Sequence, residues 1–159
     1  MLKVSRLADY AVIIMCALAE HQEHCSASDI AALTQVAKTT VSKILKILGK
    51  HGLIQAVRGA NGGYTLLNPA KDISLAAVVA AVDGPIALTE CSTAKQSCSK
   101  LACCGVRSNW QFINTIVEDV LSHYSLADMM RPMKKHSITE AGVRFKPTIN
   151  IKVVNTHEH

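Results

Sequence analysis

The chain has 159 residues, 49% of them hydrophobic and only 4% aromatic, enough for one core with an appended element and too little for two full domains. Ala, Val, Ile and Leu dominate, which favours helix-on-helix packing over a sandwich and predicts a mainly α fold. The net charge of +5 is compatible with a nucleic-acid partner but too mild to establish one, so the placement of the cations decides.

At the N-terminus there is no charged n-region leading into an apolar h-region and a cleavage site. The apolar run 11–19 is too short to span a bilayer. A cytoplasmic protein with no membrane partner is expected. The stretch "VSRLADYAVIIMCALAEH" predicts a helix of four or five turns with Leu7, Ala11, Ile14 and Leu18 on one stripe. Val12, Ile13 and Cys16 lie on its other side, with Asp9, and a helix apolar on both sides wants two partners.

"CSASDIAALTQV" offers Ser26 or Ser28 as the cap of a short helix over about 29–33. After a tight turn, "AKTTVSKILKILGKHGLI" predicts a second helix, apolar at Val41, Ile44, Leu45 and Leu48 and ended by Gly52. Its other face carries Thr40, Lys43, Lys46 and Lys50. Two short helices joined this way outline a helix-turn-helix. "LIQAVRGANGGYTLLNP" follows as a hairpin with Arg58 at its shoulder, which adds a wing.

On double-stranded operator DNA, Thr39, Thr40, Ser42 and Lys43 are placed to reach base edges, Lys46 and Lys50 to meet phosphate, and Arg58 to enter the minor groove. "RGANGG" is not a nucleotide loop, since it lacks the Lys-Ser/Thr ending of a P-loop and the strand-to-helix setting of a dinucleotide fingerprint.

"SLAAVVAAVDG" predicts a helix capped by Ser74 and closed by Gly84 and Pro85. A long helix is then expected through "GVRSNWQFINTIVEDVLSHYSLADMM". Val106, Trp110, Ile113, Val117, Val120 and Tyr124 form a seam along it, as a homodimer would need. The divisions expected are a winged helix-turn-helix domain over 1–69, a connecting helix over 70–88, a cysteine-rich cluster-binding loop over 89–105, a dimerisation helix over 106–130 and a weakly ordered tail over 131–159.

Between these helices lie four of the six cysteines, Cys91, Cys98, Cys103 and Cys104, spaced C-x6-C-x4-C-C. A reducing cytosol favours metal binding or redox sensing over structural disulfides. Zinc sites usually pair their ligands as C-x2-C, and no such pair exists here, so zinc is secondary. The wider loops suit an iron-sulfur cluster. Adjacent side chains diverge, so one of Cys103 and Cys104 is not expected to be a ligand. Lys95, Lys100 and Arg107 would favour thiolate. A metal-free, thiol-based redox-sensing regulator is the competing reading. Cys16 and Cys25 are expected to be packing or surface residues, and His157 and His159 a solvated end.

Taken together, "VSRLADYAV", "TTVSKILKILGKHGLI", "VRGANGGYTL", "AVDGPIALTEC" and the cysteine loop before a long helix resemble the Rrf family of bacterial winged-helix regulators, which includes the cluster-sensing repressors IscR and NsrR. The resemblance covers the chain to about Met130. Within the family, "LADYA" and "GPIALTEC" look most like the regulator of the SUF iron-sulfur assembly operon. The resemblance implies a dimeric repressor, not an enzyme, with crossing C-terminal helices and a cluster held by Cys91, Cys98 and Cys104.

IscR-type members take a histidine three residues after the last cysteine. Here that place is Arg107, whose guanidinium stays protonated and cannot ligate. NsrR-type members use an aspartate from the first helix of the partner subunit, and Asp9 falls on that position, with Cys103 and Glu90 as its competitors. The cluster expected from the resemblance is 2Fe-2S, with 4Fe-4S open. An iron-sulfur redox or cluster-transfer protein is the alternative of a different class, but it leaves the winged domain unexplained.

Overall fold

The computed structural model describes residues 4–21, 24–59, 62–92 and 104–132. Helix α1 (Arg6–Glu20) begins where the extended Ser5 accepts a hydrogen bond from the Ala8 N–H, satisfying one of the donors that a first turn leaves over. It buries Ala8, Ala11, Ile14, Met15 and Leu18. The predicted stripe is therefore present, with Leu7 half-buried at its edge. On the other side Val12 and Cys16 are half-buried, while Ile13 and Asp9 are exposed.

Helix α2 (Ala27–Thr34) starts in a capping box. The Asp29 N–H donates to the Ser26 hydroxyl at 3.2 Å, and the Ser26 N–H donates to the Asp29 carboxylate at 3.0 Å. Ser26 rather than Ser28 is the cap because it stands three residues ahead of that carboxylate. A turn through Gln35, at φ 57, leads into α3 (Lys38–Lys50), which buries the four predicted residues Val41, Ile44, Leu45 and Leu48. The chain then reverses at Gly52, whose φ of 69 is the left-handed conformation that favours glycine after a helix.

Strands β1 (Ile54–Val57) and β2 (Gly63–Leu66) pair antiparallel, with Ile54 opposite Leu66 and Val57 opposite Gly63. The wing they form is tied to the segment ahead of α2. The Cys25 N–H donates to the Tyr64 carbonyl and the Tyr64 N–H returns to the Cys25 carbonyl, at 3.2 and 2.9 Å. A Cβ at Gly63 would stand 2.7 Å from the Cys25 backbone, so only glycine lets the two chains approach so closely.

Helix α4 (Leu75–Asp83) is capped by Ser74, as expected, and packs on α1 and α3. Its Val78 joins Ile14, Met15, Leu18, Ile30, Ile44, Leu48 and Ile54 in one core. Helix α5 (Arg107–His123) packs on α4 and on a short 3-10 turn, Glu90–Ser92.

The pattern predicted one helix continuing to Met130, but α5 ends at His123 and a separate turn of helix, α6 (Leu126–Met129), follows. Ser125 and Asp128 form a second capping box that starts the new helix. The Leu75 N–H donates to the Tyr124 carbonyl at 2.9 Å and the Leu126 N–H to the Ile73 carbonyl at 2.8 Å. The break turns the chain back so that Leu126, fully buried, enters the core beside α1. The expected tail lies, from residue 133 on, outside the described residues. Among those described, no helix is long and apolar enough to cross a membrane.

Leu126→Ala is expected to lower stability in urea unfolding by about 2–5 kcal/mol. Met129→Ala, at an exposed position, should change it by less than about 0.5 kcal/mol. Hydrogen bonds from the side chain and backbone of Ser125 hold the Asp128 carboxyl below its usual range. A carboxyl whose pKa falls on folding stabilises above its unfolded value, and that contribution is lost as the pH drops through the folded value. Asp128→Asn should therefore narrow the gap in melting temperature between neutral pH and about pH 3.

Candidate nucleic-acid interface and cysteine segment

Burial of Val41, Ile44, Leu45 and Leu48 sets the rotation of α3 and leaves the opposite side to solvent. Thr39, Ser42, Lys43, Lys46 and Lys50 are all exposed there, as the sequence predicts. Lys38, which the pattern did not single out, is exposed at the start of the same helix. Thr40 is set apart from that face. It is half-buried and lines a cleft of about 440 Å³ with Arg6, Leu7, Tyr10, Gln35, Val36 and Ala37. Ala37 occupies the N-cap of α3 and supplies no capping side chain, so that helix end is open to a polar partner. Arg58 is exposed at the end of β1, and the Cys25–Tyr64 bridge fixes the base of the wing that carries it.

The cysteine segment is described at its two ends. The backbone of Cys91 lies in the turn Glu90–Ser92, which rests on α5. Cys104 is half-buried just ahead of the same helix, where its carbonyl accepts the Arg107 N–H at 3.4 Å. Both ends thus meet at α5. Cys98, Cys103, Lys95 and Lys100 lie outside the described residues, as do His157 and His159. Glu90 is exposed, and Asp9 is exposed on α1. Among the described residues, no three His, Cys, Asp or Glu side chains form a metal-binding group.

The other two cysteines belong to the winged domain. Burial, and then the nearby Glu20 carboxylate, push the Cys16 thiol above its usual range, which keeps it protonated and a poor ligand. Cys25 is buried in the core at the base of the wing.

Two polar contacts were not anticipated. Asn114 is the one buried residue of α5 and, among the described residues, the one buried polar side chain. Its amide donates to the Ile86 carbonyl at 3.0 Å and accepts from the Leu88 N–H at 2.8 Å. An asparagine within the helix-interior run "FINTIV" was the available signal, because such a residue, once buried, needs its side chain bonded. In the second contact the Ser5 hydroxyl donates to the Asp83 carboxylate at 2.7 Å, joining the cap of α1 to the last residue of α4. The apolar side of α5 is partly exposed at Val106, Trp110 and Ile113, and Phe112 is 65% exposed.

Residues 4–132 match the family model Rrf2, described as iron-dependent transcriptional regulator. The chain belongs to the Rrf2 family. It is 30% identical over 132 residues to the protein rrf2 of Nitratidesulfovibrio vulgaris, covering 82% of this chain and 88% of that protein. To the transcriptional regulator IscR of Vibrio campbellii it is 29% identical over 132 residues, covering 82% and 78%.

Among solved structures, CymR, the global cysteine regulator of B. subtilis, superposes with a TM-score of 0.66 at 26% identity, covering 84% of this chain and all of that one. IscR of T. potens does so with a TM-score of 0.62 at 27% identity, covering 85% and 94%. The winged helix-turn-helix architecture read from the sequence is thus that of Rrf2 regulators of known structure, and the homologues are regulators of transcription rather than enzymes.

The two kinds of DNA contact expected from the sequence on the exposed side of α3 can be tested apart. Lys46→Ala is expected to weaken binding about equally on operator and unrelated duplex DNA and to reduce the salt slope by about 1. Ser42→Ala should lower operator affinity while leaving non-specific binding and that slope unchanged. Fluorescence anisotropy across a salt series checks both.

Proposed function

We propose that this Rrf2-family regulator is a homodimeric repressor of iron-sulfur cluster assembly genes of the SUF type, whose grip on its operator is set by an iron-sulfur cluster in the cysteine segment. The observation that carries the reading is that the turn containing the Cys91 backbone packs on α5 while Cys104 immediately precedes the same helix, so that the two described ends of the cysteine segment share one supporting element. Thiolates and a carboxylate are the anionic ligands that suit iron, whereas Arg107 is not a donor to metal. Cys91, Cys98 and Cys104 would hold the cluster, with Asp9 of the second copy as fourth ligand in preference to Cys103 or Glu90. The exposure of Asp9 on α1 leaves it available to a second chain, and the exposed Val106, Trp110 and Ile113 give that chain an apolar seam to cover. When bound, the cluster supplies an electron- and oxidant-sensitive centre, 2Fe-2S in the preferred reading and 4Fe-4S in the alternative.

The protein side of the mechanism follows from α3 and the wing. In each subunit Thr39, Ser42 and Lys43, which share the exposed side of α3, read base edges, Lys46 and Lys50 meet phosphate and Arg58 enters the minor groove, while Thr40, in the wall of the cleft, is set back from the bases. Two recognition helices dock together only at the right separation and angle, so a small rotation between subunits abolishes operator binding. Closing the ligand set with an acid from the other chain links that angle to the state of the cysteines. The likeness to CymR, a cysteine regulator, favours a second reading in which the thiols themselves respond to oxidation without metal. The domain divisions follow function in this account, with 1–69 binding DNA, 70–88 connecting, 89–105 sensing and 106–130 dimerising.

Visible absorption and circular dichroism of anaerobically purified wild type, Asp9→Ala and Cys103→Ala decide between the readings. Colour in the wild type that Asp9→Ala bleaches or shifts, while Cys103→Ala preserves it, is the expected result. Loss only with Cys103→Ala would move the fourth ligand into the loop. A colourless wild type would favour the thiol sensor.

A further inference from the structure

Residues 84–89 contain no helix or strand, yet they join α4 to the turn that carries Cys91. Asn114 clips this stretch to α5. The carbonyl of Ile86 and the N–H of Leu88 flank Ala87, and one side-chain amide meets both, at 3.0 and 2.8 Å. Amide geometry fits the two groups as a paired strand would, since it offers a donor and an acceptor side by side.

Below the clip, the Thr89 and Ser92 hydroxyls bond each other at 3.1 Å and the Ser92 N–H donates to the Thr89 carbonyl at 2.9 Å, which closes the turn containing Cys91. Above it, Asp83 accepts the Ser5 hydroxyl at 2.7 Å, and that same oxygen caps α1 by accepting the Ala8 N–H at 3.0 Å. From the cysteine turn to the first helix of the winged domain, the chain is therefore a strap pinned at three points, with Asn114 the only buried pin.

We propose that Asn114 is a positioning residue for Cys91, and that the strap it pins transmits the state of the cysteine segment through Asp83 to Ser5 and the start of α1. The transmission rests on the reading of the cysteines as the sensing element; the positioning does not. Replacing Asn114 by leucine leaves the Ile86 carbonyl and the Leu88 N–H with no partner from α5. Replacing it by aspartate keeps an acceptor for Leu88 but sets a carboxylate oxygen against the Ile86 carbonyl. Either change releases the stretch ahead of Cys91 while leaving the apolar core of the winged domain intact, because no other residue of α5 is buried.

The first test is alkylation by iodoacetamide of the reduced, metal-free full chain, followed by mass spectrometry at each cysteine. Asn114→Leu and Asn114→Asp are expected to speed modification of Cys91 on the order of tenfold, the change that one lost buried hydrogen bond gives to a local opening. Cys16 and Cys25, which pack in the winged domain, should react as slowly as in wild type. Acceleration of all three together would show that Asn114 only stabilises the whole fold, and no acceleration at Cys91 would show that it positions nothing; either overturns the proposal.

The second test compares operator affinity before and after anaerobic reconstitution with ferrous iron and sulfide. A wild-type ratio of about 5–150 should fall below about 2 in Asn114→Leu and Asp83→Ala and persist in Asp83→Asn, whose amide oxygen still accepts from Ser5. Wild-type ratios in the first two variants would overturn transmission through the strap, as would a wild type that does not respond. A response that survives Cys91→Ser would instead sink the reading of the cysteine as sensor, leaving the alkylation result at Asn114 to stand.

Discussion

Burial of one side of α1 is the contact around which the other elements are arranged. Ile14, Met15 and Leu18 sit at the centre of the core, and α2, α3, β2, α4 and α6 all pack on that helix. Each large side chain fully withdrawn from water contributes about 1.5–3 kcal/mol, so α1 is the shared wall through which the recognition helix, the wing and the return of the chain at Leu126 depend on one another. The same helix carries Asp9 and ends, at its first turn, in the Ser5–Asp83 tie. Whatever moves its N-terminus acts on a body already joined to the DNA-binding face.

That body has little internal freedom. Four side chains fix the rotation of α3, and the paired hydrogen bonds between Cys25 and Tyr64 hold the wing to the start of α2. Helix and wing are thereby held in a fixed relation, and in the dimeric reading proposed above the adjustment between two half-sites would come from the relation of one subunit to the other. Helix α5 stands in a different relation to the core. It reaches the winged domain by way of α4, and the chain beyond it returns by a capped turn.

The parts legible in the sequence are those written in local periodicity and punctuation. The stripe of α3, the Ser74 cap, the glycine-rich hairpin and the exposed row Thr39, Ser42, Lys43, Lys46 and Lys50 follow from spacing and from the φ that glycine tolerates. The spacing of the cysteines likewise marks out the candidate sensing segment by itself. The parts not legible are set by contacts between distant residues. The seam from Val106 to Tyr124 continues smoothly by period, and although Ser125-x-x-Asp128 is a local cap signal, the bonds of Tyr124 to Leu75 and of Leu126 to Ile73 that turn the chain back are made to residues far off in sequence. Thr40 fits the exposed face by type, yet the neighbouring Arg6 and Tyr10 make it a cleft wall. Asn114 and the Ser5–Asp83 pair, 26 to 28 and 78 residues from their partners, have no local pattern that names the other end.

The single buried residue of α5 bears on how such a chain tolerates change over evolutionary time. A helix whose one buried side chain bonds residues 86 and 88 rather than joining the apolar core exposes the folding of the winged domain to few of its own substitutions, since surface replacements away from buried contacts usually shift stability by no more than about 0.5 kcal/mol. Those of its outer positions that no second chain covers are then free to change while the winged domain keeps its shape. On that account α5 and the stretch ahead of it are held together through few side chains, with Asn114 the buried one among them.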